Sequence, residues 1–196
     1  MEEYELPLFP LNTVLFPATL LPLRIFEPRY VDLIGRCMRD NSGFGVVALM
    51  SGAETGRAGQ THRTGTIARI IDFDQGADGL LNIVIRGDER FHVRDTTTQA
   101  DNLLLGKIVE LDNVAQLPIP EEFSVLLELL DEITSKIDIA QSQGPAPVTA
   151  SQLAYKLAQY LPFPVPAKVA MLGIGDPREL LQQLSDQVSQ LRHGNQ

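Results

Sequence analysis

Two stretches decide the fold: Thr66-Ile67-Ala68-Arg69-Ile70-Ile71-Asp72-Phe73 and Leu80-Leu81-Asn82-Ile83-Val84-Ile85-Arg86. Both are rich in β-branched residues, and both alternate apolar with polar side chains over much of their length, which is the period of a half-buried strand. Six residues, Asp74 to Gly79, separate them and contain an Asp-Gly pair, which favours a tight turn. The two stretches therefore predict a β-hairpin.

Further short strands are predicted on either side of this hairpin. From Leu6 to about Asp112 the sequence is punctuated by Gly, Pro, Asn and Asp. Gly87-Asp88 predicts a turn, Arg90 to Arg94 a strand after it, and Leu103 to Leu111 another strand. Short, evenly spaced strands close most easily into a small barrel, because closure leaves few unpaired edges.

One helix interrupts the strands, and several helices follow them. Pro28 suits a first helical turn, the apolar stripe that follows has helical spacing, and Asn41 and Gly43 end it. After Pro118-Ile119-Pro120 the apolar period becomes helical, and Thr149 with Gln152 and Asp176 with Glu179 predict two capped helices. We therefore expect an α+β protein with a β-barrel and one inserted helix in residues 1–117, and a small α-helical bundle in residues 118–196.

The composition disfavours nucleic acid as a partner. The 196 residues include 44% hydrophobic residues, enough for a sizeable core, and carry a formal net charge of −9. Residues 1–117 hold 11 Lys and Arg against 16 Asp and Glu, and the remainder holds 5 against 9. Neither half can neutralise many phosphates, so RNA binding remains only an alternative function.

The chain is expected in the cytoplasm and away from membranes. Arg24 and several prolines interrupt the most apolar stretch, Leu6 to Ile25. This stretch therefore lacks the uninterrupted run of apolar residues that a membrane-spanning helix needs. The first five residues are acidic where a secretory signal would be basic. The single cysteine, Cys37, excludes an internal disulfide and fits a reducing compartment.

The motifs that carry common catalytic chemistry are absent from the sequence. The only Gly-Lys pair, Gly106-Lys107, is followed by Ile108, so there is no phosphate-binding loop, and neither Gly-x-Ser-x-Gly nor Ser-x-x-Lys occurs. His62, His92 and His193 have no metal-ligand spacing. We expect no enzyme activity, no cofactor and no metal, although an enzyme with a dispersed site stays open as an alternative.

Several motifs resemble one known family. The match covers residues 6 to 192 and lies in Leu6–Pro17, Leu21–Tyr30, Phe44–Val47, Gly65–Ile70, Gly87–Phe91, Leu161–Lys168 and Asp176–Leu180. In these segments the chain closely resembles the Lon protease N-terminal, substrate-binding domain family, above all its stand-alone bacterial members. Ala18 departs from the glycine that the family usually has after Phe-Pro, and Ala tolerates a positive φ less well.

The resemblance implies a fold and a function. The fold would be a PUA-like β-barrel followed by a helical bundle. The function would be a non-catalytic polypeptide-binding or adaptor module, without the ATPase and peptidase domains of full Lon proteases. The partners would be unfolded or extended polypeptides or a protein partner, and a homo-oligomer is possible.

A binding surface is expected on Leu20 to Tyr30 together with the polar loop Ser51 to Thr64. Pro22 and Pro28 can leave an edge strand open for an added peptide strand, and arginines there can hold acidic groups. The alternative is structural, with the apolar side chains in the core and Arg29 paired with an Asp or Glu. The candidate polypeptide-binding residues are Arg24, Phe26, Glu27, Arg29, Tyr30, Arg57, His62 and Arg63.

Overall fold

A computed structural model describes residues 2–50, 59–136 and 146–194 and shows a mixed α+β protein. Its strands are β1 (Glu3–Leu11), β2 (Leu20–Ile25), β3 (Phe44–Leu49), β4 (Thr61–Gln75), β5 (Leu81–Thr98) and β6 (Leu104–Glu110). Its α-helices are α1 (Pro28–Asp40), α2 (Ser124–Lys136), α3 (Ala150–Tyr160), α4 (Val165–Gly173) and α5 (Pro177–Gly194). None of the helices in these ranges is long and apolar enough to cross a bilayer.

The predicted hairpin is confirmed as β4 and β5. The strands pair antiparallel, and Gln75 lies opposite Leu81 at the turn. Gly79 has a φ of 81°, which a glycine adopts without strain. The Asp78 carboxylate accepts the Leu80 N–H at 3.2 Å, as turn-forming aspartates commonly do.

The predicted turn at Gly87-Asp88 is wrong, because β5 continues through it as one strand. The register shifts there, so that Thr66 lies opposite Arg90 and Ala68 opposite Gly87, which is the signature of a β-bulge. A Cβ at residue 87 would come within 2.2 Å of the Phe16 carbonyl oxygen. The glycine is therefore required by close backbone approach and by the bend of the strand.

The strand pairings return to their starting point. β5 pairs with β4, β4 with β3, β3 with β1, β1 with β6, and β6 again with β5. All these pairs are antiparallel except β1 with β3, which is parallel and is connected through β2 and α1. β2 pairs with the first half of β5, whereas β6 pairs with the second half.

The inserted helix is confirmed as α1. It begins at Pro28 and ends before Asn41, which caps it in the left-handed conformation with a φ of 49°. Its apolar stripe, which includes Tyr30, Leu33 and Ile34, is buried in one of the hydrophobic clusters of the strand-rich unit. Replacing Leu33 or Ile34 by Ala would cost roughly 2–5 kcal/mol.

The predicted caps of the C-terminal helices are confirmed. Thr149 accepts the Gln152 N–H at 3.4 Å and opens α3. Asp176 accepts the N–H groups of Arg178 and Glu179 at 2.7 and 3.3 Å, and Pro177 is the first residue of α5. These contacts satisfy N–H groups that a helix leaves free at its start.

The contacts divide the chain into two compact units, Met1–Leu111 and Asp112–Gln196. The division lies a few residues before the predicted boundary at 117 and 118. No strand or helix spans residues 111–120. In the second unit α3 packs on α2 and α5, and its buried residues include Leu153 and Leu157.

Candidate functional site

β2 forms the end of the strand order and leaves one edge without a strand partner among the described residues. Gly87 donates its N–H to the Thr19 carbonyl at 3.0 Å, just before the strand begins. Because an antiparallel ladder alternates, the backbones of Leu21 and Leu23 face β5, and that of Pro22 faces the open edge. A proline, which has no N–H to donate, is tolerated at such a position.

A cavity of about 170 Å³ lies beside this strand. We call it the β2 groove, and its lining residues are Phe9, Leu11, Pro22, Leu23, Arg24, Ile25, Phe26, Glu27 and Tyr30. Most of these side chains are apolar, and the two charged ones, Arg24 and Glu27, carry opposite signs. The groove therefore offers apolar contact together with two sites for polar contact.

Four of the eight predicted residues, Arg24, Phe26, Glu27 and Tyr30, meet in the β2 groove. Phe26 is 57% exposed, which is unusual for so large an apolar side chain, so the expectation of a core position is not met there. Tyr30 is buried and stacks on Phe9 with the ring centroids 3.9 Å apart.

Arg29 is buried and contacts two of these residues, Glu27 and Tyr30. One guanidinium nitrogen donates to the Asn102 carbonyl oxygen at 2.6 Å, and another lies 2.8 Å from a Glu27 carboxylate oxygen. The guanidinium carbon lies 4.6 Å from the centroid of the Tyr30 ring, which is a cation–π distance. Pairing with a carboxylate, the structural alternative for Arg29, is therefore observed.

Arg24 lies at the rim of the groove and forms an ion pair with Asp78 of the hairpin turn. Both side chains are well exposed, so the pair contributes little to stability and can open at low cost. Arg24 is thus available for a ligand carboxylate.

The remaining predicted residues lie elsewhere. His62 and Arg63 belong to β4, so the predicted loop ends before Thr61, because Thr61 already pairs with Leu49 of β3. Arg63 donates to the carbonyl oxygen of Arg94 at 2.8 Å, at the end of β5 that lies away from β2. Arg57 lies outside the described residues.

The sequence reasoning missed the contributions of β1 and of Asn102. Phe9 and Leu11 line the groove from a strand that is distant in sequence, and Asn102 holds Arg29 through a backbone carbonyl. Asn102 has a φ of 66°, and an Asp-Asn pair before an apolar run is a turn signal. That signal predicts a turn, but it does not predict which side chain the turn contacts.

The described residues contain no group of three or more His, Cys, Asp or Glu side chains that could hold a metal ion. Cys37 is buried in α1, and burial raises the pKa of its thiol. A raised pKa disfavours the nucleophilic thiolate, which suits a packing role.

Solved structures of other proteins share the fold of this chain. The crystal structure of a Lon N-terminal domain protein from Xanthomonas campestris is 31% identical, covers 93% of this chain and 98% of its own, and superimposes with a TM-score of 0.76. The N-terminal domain of a Mycobacterium avium complex Lon protease is 16% identical with a TM-score of 0.61, which supports the fold alone.

Curated relatives are much longer proteins. The Lon protease of Parabacteroides distasonis is 29% identical over 184 residues, which make up 89% of this chain and 22% of that protease. Lon protease 1 of Syntrophobacter fumaroxidans is 24% identical over 94% of this chain and 24% of its own length. The chain thus spans about a fifth to a quarter of the length of these relatives.

A family model described as the ATP-dependent protease La (LON) substrate-binding domain matches residues 5–190, nearly the whole chain. The resemblance drawn from the sequence motifs is confirmed. This chain belongs to the LON substrate-binding domain family.

Proposed function

We propose that this chain is a non-catalytic polypeptide-binding domain that holds extended or unfolded segments at the β2 groove. The observation that carries the proposal is an apolar cavity placed directly beside an unpaired sheet edge. The family is named for substrate binding, which supports the same function. The relatives are proteases, so presenting polypeptides for degradation is the role we assign.

The size of the groove favours a side chain as its occupant. Pockets for small-molecule substrates and cofactors usually measure about 300–1,000 Å³. At about 170 Å³ the β2 groove is smaller, and it suits one large apolar side chain. An extended polypeptide is therefore a better ligand than a cofactor.

The edge of β2 supplies the second part of the binding mode. An added strand would pair with the outward-facing backbone groups of β2, and this pairing does not depend on the sequence of the ligand. The side chains of the added strand would alternate between the two faces of the sheet. One face leads to the groove, where Phe26 offers an exposed ring. Arg24 would then hold a carboxylate of the ligand.

We also infer the finer description of the fold and setting. The returning strand pairings support a PUA-like β-barrel, and the packing of α3 with α2 and α5 supports a small helical bundle. The single buried cysteine fits the cytoplasm. The acidic charge supports proteins over nucleic acid as partners.

The first prediction tests the groove with Phe26→Ser. Loss of an exposed aromatic anchor should weaken binding of a permanently unfolded model protein, such as a reduced and carboxymethylated one, by about tenfold or more. Fold retention is expected because the side chain is largely exposed, and a thermal melt checks it. Fluorescence anisotropy of the labelled unfolded protein gives the affinity.

Met50→Ser is the matched control, because Met50 is 62% exposed and does not line the groove. It should bind like the wild type. Equal affinity of wild type and Phe26→Ser would remove the groove from the binding site, and absence of binding by the wild type would refute the proposed function.

A further inference from the structure

The part of the sheet that carries β2 has a second open edge. The stretch of β5 from Leu81 to Arg86 pairs with β2 on one side and with β4, from Arg69 to Gln75, on the other. β3 pairs with β4 only as far as Ala68. Beyond that residue, β4 has no strand partner on its outer side among the described residues. We call the two open edges of these three strands the β2 edge and the β4 edge.

Both edges are apolar enough to attract another strand. On β4, Ile71 and Phe73 are 46% and 58% exposed, and on β2, Leu20, Leu21 and Leu23 are half-buried. Exposed apolar edge strands pair readily with other chains. Because the two edges lie on opposite sides of the same three strands, β2 of one copy can pair with β4 of the next, and such a head-to-tail contact can repeat into a filament.

Pro22 interrupts the β2 edge near its middle. Its backbone faces outward, since those of Leu21 and Leu23 face β5. Proline has no N–H, so the β2 edge offers a carbonyl oxygen but no donor at this position. Within β2, outward N–H groups remain only at Leu20 and Arg24, and the ladder that a second copy could form here is incomplete.

Asp72 interrupts the β4 edge in a different way. Gly76 donates its N–H across the hairpin at 2.8 Å, so the alternation of the ladder turns the backbones of Asp72 and Asp74 towards β5 and that of Phe73 outward. The outward N–H of Phe73 is already bonded, because the Asp72 carboxylate accepts it at 2.9 Å. A register shift between Ile70 and Asp72 marks a β-bulge, which also protects sheet edges.

We infer that Pro22 and Asp72 block the two open edges of this sheet and so keep copies of the chain from joining edge to edge. The inference stands on the strand pairings and does not depend on the proposed function. A polypeptide ligand that pairs with β2 meets one missing donor, at Pro22. Two copies joined through β2 and β4 meet two blocked donors, so the block acts more strongly on self-association than on ligand binding.

The double variant Pro22→Val with Asp72→Ala tests the inference, because it supplies a donor at residue 22 and releases the N–H of Phe73. Two added backbone hydrogen bonds in each contact should strengthen association between copies by about tenfold or more. Sedimentation velocity over a concentration series measures the association, and a thermal melt checks that the variant is folded. Each single variant restores one donor and should fall between the wild type and the double variant.

The matched control is Leu20→Val with Asp74→Ala. Leu20→Val places the same β-branched residue on the β2 edge at a position that already has an N–H, and Asp74→Ala removes the same charge without releasing an outward donor. This variant should associate like the wild type. The comparison therefore separates the edge donors from the effects of strand propensity and net charge.

Hydrogen exchange identifies the contact itself. In the Pro22→Val, Asp72→Ala protein, N–H groups of β2 and of the β4 edge should become protected as the concentration rises. Equal association of the two double variants, or association without protection of these edges, would overturn the inference. Either result would leave polypeptide binding untouched, because the Phe26→Ser and Met50→Ser measurements test the proposed function separately.

Discussion

Ala18 adopts a left-handed backbone with a φ of 58°, a conformation that costs a residue with a Cβ about 1 kcal/mol. The conformation is held by its N–H, which donates to the Gly87 carbonyl at 2.8 Å. The glycine usual in the family at this position would adopt it freely. The departure from glycine therefore carries a conformational cost in this chain, because Ala18 adopts a positive φ.

Ala18→Gly should therefore raise the free energy of unfolding by about 0.5–1 kcal/mol, because relief of the strained φ outweighs the extra freedom of the unfolded chain. Urea unfolding measures the change. Ala100→Gly, at an exposed turn residue without a positive φ, is the control and should lower stability slightly. A less stable Ala18→Gly protein would contradict the argument.

The burial of Lys168 should make the stability of the protein depend on pH. Burial lowers the pKa of its ammonium from the usual 10.5, although the group donates to the Gln159 carbonyl at 3.2 Å. At pH values below the lowered pKa both the folded and unfolded states are protonated, and the burial penalty is complete. As the pH rises from that lowered pKa towards 10.5, the folded state releases its proton first, so stability increases.

The measurement compares the wild type with Lys168→Met in urea between pH 7 and 10. The wild type should gain stability relative to the variant as the pH rises. Lys107→Met, at an exposed position of β6, is the control and should show no such trend. A relative loss of wild-type stability at high pH would contradict the burial effect.

For the individual strands and helices, the sequence correctly predicted the features that depend on residues close together in the chain. The hairpin turn, the start and end of α1, and the caps of α3 and α5 all depend on residues within a few positions of one another. The continuous β5 was not predicted, because a Gly-Asp pair in a sequence is typical of a turn. Gly87 instead allows the close approach of the Phe16 carbonyl oxygen within a strand. The pairing of β1 with β3 could not be predicted, because the alternation of apolar and polar residues predicts a strand but not its partner strand.

The cap of α3 can be tested directly. Thr149→Ala should cost about 1 kcal/mol of unfolding free energy, because it removes the acceptor of the Gln152 N–H. Thr149→Ser should restore most of this. Thr134→Ala, within α2, is the control and should be neutral or stabilising, since alanine favours helix interiors. Equal losses at both positions would argue against a specific cap.

At the scale of the whole molecule, half of the predicted site follows from the sequence and half does not. Arg24, Phe26, Glu27 and Tyr30 lie within one short segment, so their proximity could be foreseen. Their partners are distant in sequence: Phe9 of β1 stacks on Tyr30, and Asp78 of the hairpin turn pairs with Arg24. Contacts between distant segments arise from the register of the sheet, which the residue pattern leaves open.

The net charge of the whole molecule predicts weak binding of RNA. With a formal charge of −9, few phosphates can be neutralised, so affinity for RNA should be weak and should disappear as salt is raised to physiological levels. A filter-binding or anisotropy titration with a structured and a single-stranded RNA, at low and physiological salt, measures this. The unfolded model protein serves as the positive control, because apolar contacts in the β2 groove are far less sensitive to salt. Sub-micromolar RNA binding that persists at physiological salt would place an RNA-binding module ahead of a polypeptide-binding one.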